Sequence, residues 1–188
     1  VDQYFPLIIG CGLRQNQIIR SKGGMGEVVL SYGGNYANRL YIGATLGLPN
    51  IRYERSTIHT ETDIANIDTL FHQFTFSEDL IVRGNGVNAK FGMIFRLNDY
   101  VRLGGAVHTP TFFSISEEYD TELTRVDDDQ FTVTVAPDRP GAIDYSITTP
   151  FRALGSVGVT VGKRGFVSAD YEFVDYSNAS LEFDGFND

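Results

Sequence analysis

From Gly26 onward, apolar and polar side chains alternate with a period of two, the mark of strands that bury or expose one apolar face. Val28, Leu30 and Tyr32 fall on one face, Glu27, Val29 and Ser31 on the other. After Gly34-Asn35-Tyr36-Ala37-Asn38, Leu40, Ile42, Ala44 and Leu46 carry the apolar face on, opposed by Tyr41, Gly43 and Thr45. A second hairpin is clearer. Val87, Ala89, Phe91, Met93, Phe95 and Leu97 alternate with Asn88, Lys90, Gly92, Ile94 and Arg96. The dipeptide Asn98-Asp99 makes a tight turn, and Val101, Leu103, Gly105 and Val107 return against Arg102, Gly104, Ala106 and His108. In the third, Phe151, Ala153, Val157, Val159 and Val161 precede Lys163-Arg164-Gly165, and Val167, Ala169, Tyr171 and Phe173 follow.

The three short turns are evenly spaced and alternate with long polar, acidic stretches at about 48–84 and 110–147. Short turns at one end, long loops at the other and strands of about ten residues between them predict an all-β fold. The expected architecture is antiparallel up-and-down hairpins forming part of a transmembrane β-barrel. Six strands emerge. The expected organisation is a single β-meander over 1–188, with 1–23 as an extended loop and hairpins at about 24–47, 85–109 and 148–184. Segments 72–82 and 112–122 keep enough alternation to extend strands beyond a membrane. A soluble β-sandwich alternates in the same way, and would bind carbohydrate or a partner protein through its abundant Tyr. Its outward face, however, would be rich in Lys, Glu and Thr, whereas the second face here is rich in Gly, Ala and Ser.

Composition sharpens this picture. Gly is abundant at 20 and Tyr and Phe contribute 10 and 14 residues, which favours strands and turns. The net charge of −9 disfavours a nucleic-acid partner. A single cysteine, Cys11, excludes an internal disulfide framework and a Cys-based zinc site. No apolar run approaches the ~18 residues of a membrane helix. The chain begins at Val1 without an initiator Met or a visible signal peptide, so it reads as either a processed protein or an excised piece of a longer one, and the hairpin count favours a piece.

Four segments in order, Gly23-Gly24-Met25-Gly26-Glu27-Val28-Val29-Leu30-Ser31-Tyr32-Gly33-Gly34-Asn35-Tyr36, Leu40-Tyr41-Ile42-Gly43-Ala44-Thr45-Leu46-Gly47, Val101-Arg102-Leu103-Gly104-Gly105-Ala106-Val107-His108-Thr109-Pro110 and Asp170-Tyr171-Glu172-Phe173-Val174-Asp175-Tyr176-Ser177, carry a resemblance. They resemble the FadL/TodX family of outer-membrane transporters for hydrophobic compounds. That resemblance implies a fourteen-stranded barrel closed by an N-terminal hatch, of which this chain is an interior fragment. It implies passive transport of long-chain fatty acids or hydrocarbons across the bacterial outer membrane, through an internal pocket and a lateral opening. The expected partners are a hydrophobic small molecule and outer-membrane lipid or detergent, with no nucleic acid and no cofactor. No family ligand contact transfers to a position here. An excised sheet of this kind leaves two unpaired edges, so edge-strand self-association is expected.

Candidate chemistry is sparse, and no enzymatic constellation is visible. His59, His72 and His108 lack metal-ligand spacing, so no metal site is expected. Asp127-Asp128-Asp129 lacks the alternating oxygens and fixed glycine of a calcium loop and reads as a solvated acidic loop. Gly84-Asn85-Gly86 precedes no helix, which argues against a nucleotide site. Asp170 and Glu172 share a strand face, as glycosidase carboxylates do. In a barrel wall they read instead as structural lumen carboxylates. Lys90, Arg96, Arg102, His108 and Arg152 are the candidate lumen contacts to a ligand, and a carboxylate is the natural partner of the cations among them.

Overall fold

The computed structural model describes residues 12–65, 72–129, 131–162 and 164–183. Strands β1 (Leu13–Tyr36), β2 (Leu40–Asp63) and β3 (Gln73–Arg96) are followed by β4 (Val101–His108), β5 (Phe112–Val126) and β6 (Thr132–Val135). The series continues with β7 (Gly141–Thr148), β8 (Phe151–Val161), β9 (Gly165–Asp175) and β10 (Ser180–Phe183). All belong to one antiparallel sheet in which β2 lies between β1 and β3, and the order continues β3-β4-β8-β9 and β3-β5-β7-β10. The fold is thus all-β and built of up-and-down hairpins, and among the described residues the sheet does not close on itself. Strand β1 begins at Leu13, inside the stretch 1–23 assigned from sequence to an extended loop. Cys11 lies outside the described residues.

Ten segments reduce to six passes of the chain. β4 and β5 both pair with β3, and β7 and β8 pair with β5 and β4 in turn. The breaks at 109–111 and 149–150 are therefore kinks within two long strands, and each contains a Thr-Pro dipeptide (Thr109-Pro110, Thr149-Pro150). The break between β9 and β10 is a 3₁₀ turn, Tyr176–Asn178, whose first amides are met by Asp175 accepting from the Ser177 amide at 2.9 Å. Phe151 pairs with Asp175 and Thr148 with Ser180, so three steps on one strand face five on the other. The turn absorbs the difference.

The first two tight turns fall where the patterning places them, while the third closes earlier than Lys163-Arg164-Gly165, from Val161 to Arg164, with Lys163 outside the described residues. Tyr36–Arg39 closes through the Arg39 amide donating to the Tyr36 carbonyl at 3.0 Å, with φ of 53° at Ala37 and 54° at Asn38. Two positive φ values in sequence define the hairpin turn whose twist matches its strands. At the second, the Asn98 side-chain oxygen accepts from the amides of Tyr100 and Val101. The third closes from the Arg164 amide to the Val161 carbonyl at 3.1 Å, with Gly162 at φ 54°. Tyr36, Tyr100 and Phe166, one at each turn, are 77%, 60% and 78% exposed.

Chain contacts divide the residues into two units. The first comprises the chain up to Gly23, Tyr53–Val82 and Glu117–Ala142. Its strands are held across their faces by polar rungs: Lys22 Nζ to Glu54 Oε2 at 2.8 Å, Arg55 Nη2 to Glu78 Oε1 at 2.8 Å, and hydroxyl pairs such as Thr124–Thr134. The ring of Tyr119 lies over Gly141, where any Cβ would collide with it.

The second unit comprises Gly24–Arg52, Arg83–Ser116 and the chain from Ile143. Here register decides the faces, because directly paired residues share one side of an antiparallel sheet. Phe91 pairs with Val107, Phe95 with Leu103, Leu103 with Val157 and Val159 with Val167. The alternating apolar sets of four successive passes therefore merge into one continuous face. Most of its large side chains, among them Phe91, Met93, Leu103, Val157, Val167 and Tyr171, are exposed, while Val101 and Phe151 are half-buried. Among the described residues only Ile115 is a buried hydrophobic side chain.

Candidate functional site

The opposite face of the second unit carries the polar residues. Lys90 pairs with His108, His108 with Arg152, and Arg96 with Arg102. Asp170 and Glu172 pair with Ser156 and Leu154 on the same side. All seven candidates thus share one face. They do not form one cluster: Arg96 pairs with Asp99 at the turn, Arg152 Nη1 lies 3.6 Å from Glu172 Oε1, and Asp170 sits rungs away from both.

An open pocket of about 730 Å³ lies on this face, lined by Glu27, Asn88, Lys90, His108, Arg152 and Phe113, with Met25, Ile51 and Pro150 among the apolar contributors. Glu27 organises its polar end. Glu27 Oε1 accepts from Asn88 Nδ2 at 3.1 Å and from Lys90 Nζ at 3.2 Å, joining strands more than sixty residues apart in sequence. Gly47 stands beneath: a Cβ there would collide with the Glu27 carboxylate and the Asn88 amide. Asn88 is buried, and its Oδ1 has no hydrogen-bond donor, which leaves an open acceptor at the pocket.

The apolar end of the pocket depends on the kinks. The Thr109 amide donates to the Ala89 carbonyl, toward β3, while the Thr111 carbonyl accepts from Thr149, toward β7. In a regular strand, residues two apart direct their amides and carbonyls to the same neighbour. The ladder therefore reverses at Pro110, as at a β-bulge, and the side-chain alternation reverses with it. On β4 the even-numbered His108 lines the pocket, whereas past Pro110 the odd-numbered Thr111 and Phe113 line it. Phe112 is left exposed on the other side and Ile115 becomes buried. The Phe113 ring packs where a side chain at Gly86 would stand, at 2.7 Å from an added Cβ.

Glu27 and Asn88 were not among the residues expected to carry function. Their polarity on a face opposite Val28 and Val87 was legible, but their convergence on Lys90 was not. His59 and His72 lie in the first unit, where His59 Nε2 meets Glu61 at 3.0 Å and His72 Nδ1 meets Asp128 at 3.5 Å. Asp127 pairs with Arg125 at 2.9 Å. Among the described residues no group of three metal-ligating side chains converges, and no helix is long and apolar enough to cross a membrane, a fact that says nothing of strands. Compared with family models, with curated proteins and with solved structures, the chain matches none.

Proposed function

We propose that this chain forms part of the wall of a bacterial outer-membrane β-barrel that passes hydrophobic small molecules, long-chain fatty acids or hydrocarbons, without covalent chemistry. One observation carries the reading: the apolar sets of four successive passes share a face on which most of the large side chains are exposed. Exposed apolar surface of that extent marks a surface made for lipid or a partner, and the aromatic residues at all three short turns suit a membrane boundary. The sequence-level resemblance to FadL/TodX transporters supports the same reading.

On the polar face, the pocket offers Phe113, Ile51 and Met25 to an alkyl or aryl group and Lys90, His108 and Arg152 to a polar end. A ligand of this class enters from the polar loops, binds weakly and leaves by a change in the wall. Reconstituting the barrel that contains this chain into vesicles and measuring uptake of a fatty acid or hydrocarbon tests the proposal. Uptake no greater than that of empty vesicles overturns it.

A further inference from the structure

The apolar face of the second unit ends abruptly, and the same way on two neighbouring strands. Along β2 that face reads Ile42, Ala44, Leu46 and Leu48, then Asn50 and Arg52. Along β3, starting at the tight turn, it reads Phe95, Met93, Phe91, Ala89 and Val87, then Asn85 and Arg83. At about 3.3 Å per residue the run on β3 extends about 26 Å along the strand, or roughly 20 Å across a membrane at the tilt of a barrel strand, most of the apolar band of such a wall. Asparagine then falls at the boundary and arginine one rung beyond it.

Arg52 and Arg83 line one shallow hollow of about 260 Å³ together with Asn50 and Asn85, and Gly24 leaves open space beside it. Like charges on neighbouring strands repel, and an anion shared between them removes that repulsion. Each guanidinium already interacts within the chain, but its five N–H donors allow further bonds, and its fork suits phosphate oxygens.

We propose that this hollow seats the phosphate of an anionic lipid headgroup at the surface of the membrane. The inference rests on the reading that the apolar face meets lipid, and goes beyond it by assigning a lipid class and two residues. A lipid is favoured over a free phosphate because the hollow continues the apolar face: acyl chains can lie along Leu48 and Val87 while the headgroup reaches the arginines. Basic residues at such a level attract anionic lipid.

The test is reconstitution of the barrel that contains this chain into phosphatidylcholine vesicles doped with phosphatidic acid, followed by counting each lipid retained after mild detergent extraction by native mass spectrometry. Phosphatidic acid is expected to be enriched on the protein. Replacement of either arginine by glutamine should lower that enrichment about fivefold, and Arg52→Lys with Arg83→Lys should retain most of it. Equal enrichment in the native barrel and in Arg52→Gln/Arg83→Gln overturns the site. Enrichment abolished by inorganic phosphate at low concentration assigns the hollow to free phosphate and overturns the lipid proposal. Failure of the native barrel to enter pure phosphatidylcholine vesicles overturns the membrane reading beneath it, a result separate from loss of selectivity.

Discussion

The amide of Ala89 donates to the hydroxyl of Thr109 at 2.9 Å, where a regular ladder would offer it the Thr109 carbonyl. Thr149 does the same for its neighbour: its hydroxyl accepts from the Thr111 amide at 2.8 Å. Both threonines precede a proline, and their hydroxyls keep the strands joined where the chain kinks. Thr109→Val and Thr149→Val should each destabilise the fold by about 1–3 kcal/mol, because a backbone donor is left without a partner. Thr→Ser at either site should recover most of the loss. Urea unfolding in detergent micelles measures both, and valine variants as stable as the native chain would refute the role.

Ala37 holds a left-handed φ of 53° in the Tyr36–Arg39 turn, a conformation that costs a residue with a Cβ about 1–2 kcal/mol. Ala37→Gly should therefore stabilise the hairpin, by less than that amount because glycine also loosens the unfolded chain. Gly162→Ala should shift stability the other way. Thermal unfolding of the two variants checks the signs.

Lys90 and Glu27 are both part-exposed, so solvent screens their attraction. A double-mutant cycle with Lys90→Met and Glu27→Gln should return a coupling of no more than about 1 kcal/mol. Gly47→Ala should reduce that coupling further, since its methyl group displaces the Glu27 and Asn88 side chains that form the cluster. A coupling unchanged by Gly47→Ala would mean that the cluster yields without breaking.

Phe91 and Val107 pair on the apolar face, while Gly92 and Ala106 pair on the other. A lysine in place of Val107 should cost about 2–4 kcal/mol on folding into vesicles, the penalty for a cation in the middle of a lipid-facing band. Ala106→Lys, one residue away, should cost far less. Equal penalties at the two positions would place the apolar face against protein and not lipid.

β1 pairs on one side with β2 alone, and β9 pairs with β8 alone among the described residues. Open ladders of this length seek further strands. The isolated chain in detergent should sediment as dimers or larger species at high concentration. A strictly monomeric protein across the accessible range would show these edges to be inert.

What could be read from residue order alone is the division of each strand into two faces. Side-chain direction alternates by a rule internal to the strand, so Val87 through Val107 and Val157 through Phe173 were assigned without knowledge of their neighbours. The first two turns follow from equally local chemistry at Asn38 and Asn98, and the third was read two residues late, at Lys163-Arg164-Gly165, because the left-handed conformation falls on Gly162. Two things needed the folded sheet. Phe113 and Ile115 turn toward the pocket side because hydrogen bonding to strands far away in sequence reverses at Pro110, and no local period records which neighbour a carbonyl will find. Glu27 meets Asn88 and Lys90 only because two registers, β1 on β2 and β2 on β3, bring them level, and register is a property of pairs of strands that neither strand carries by itself.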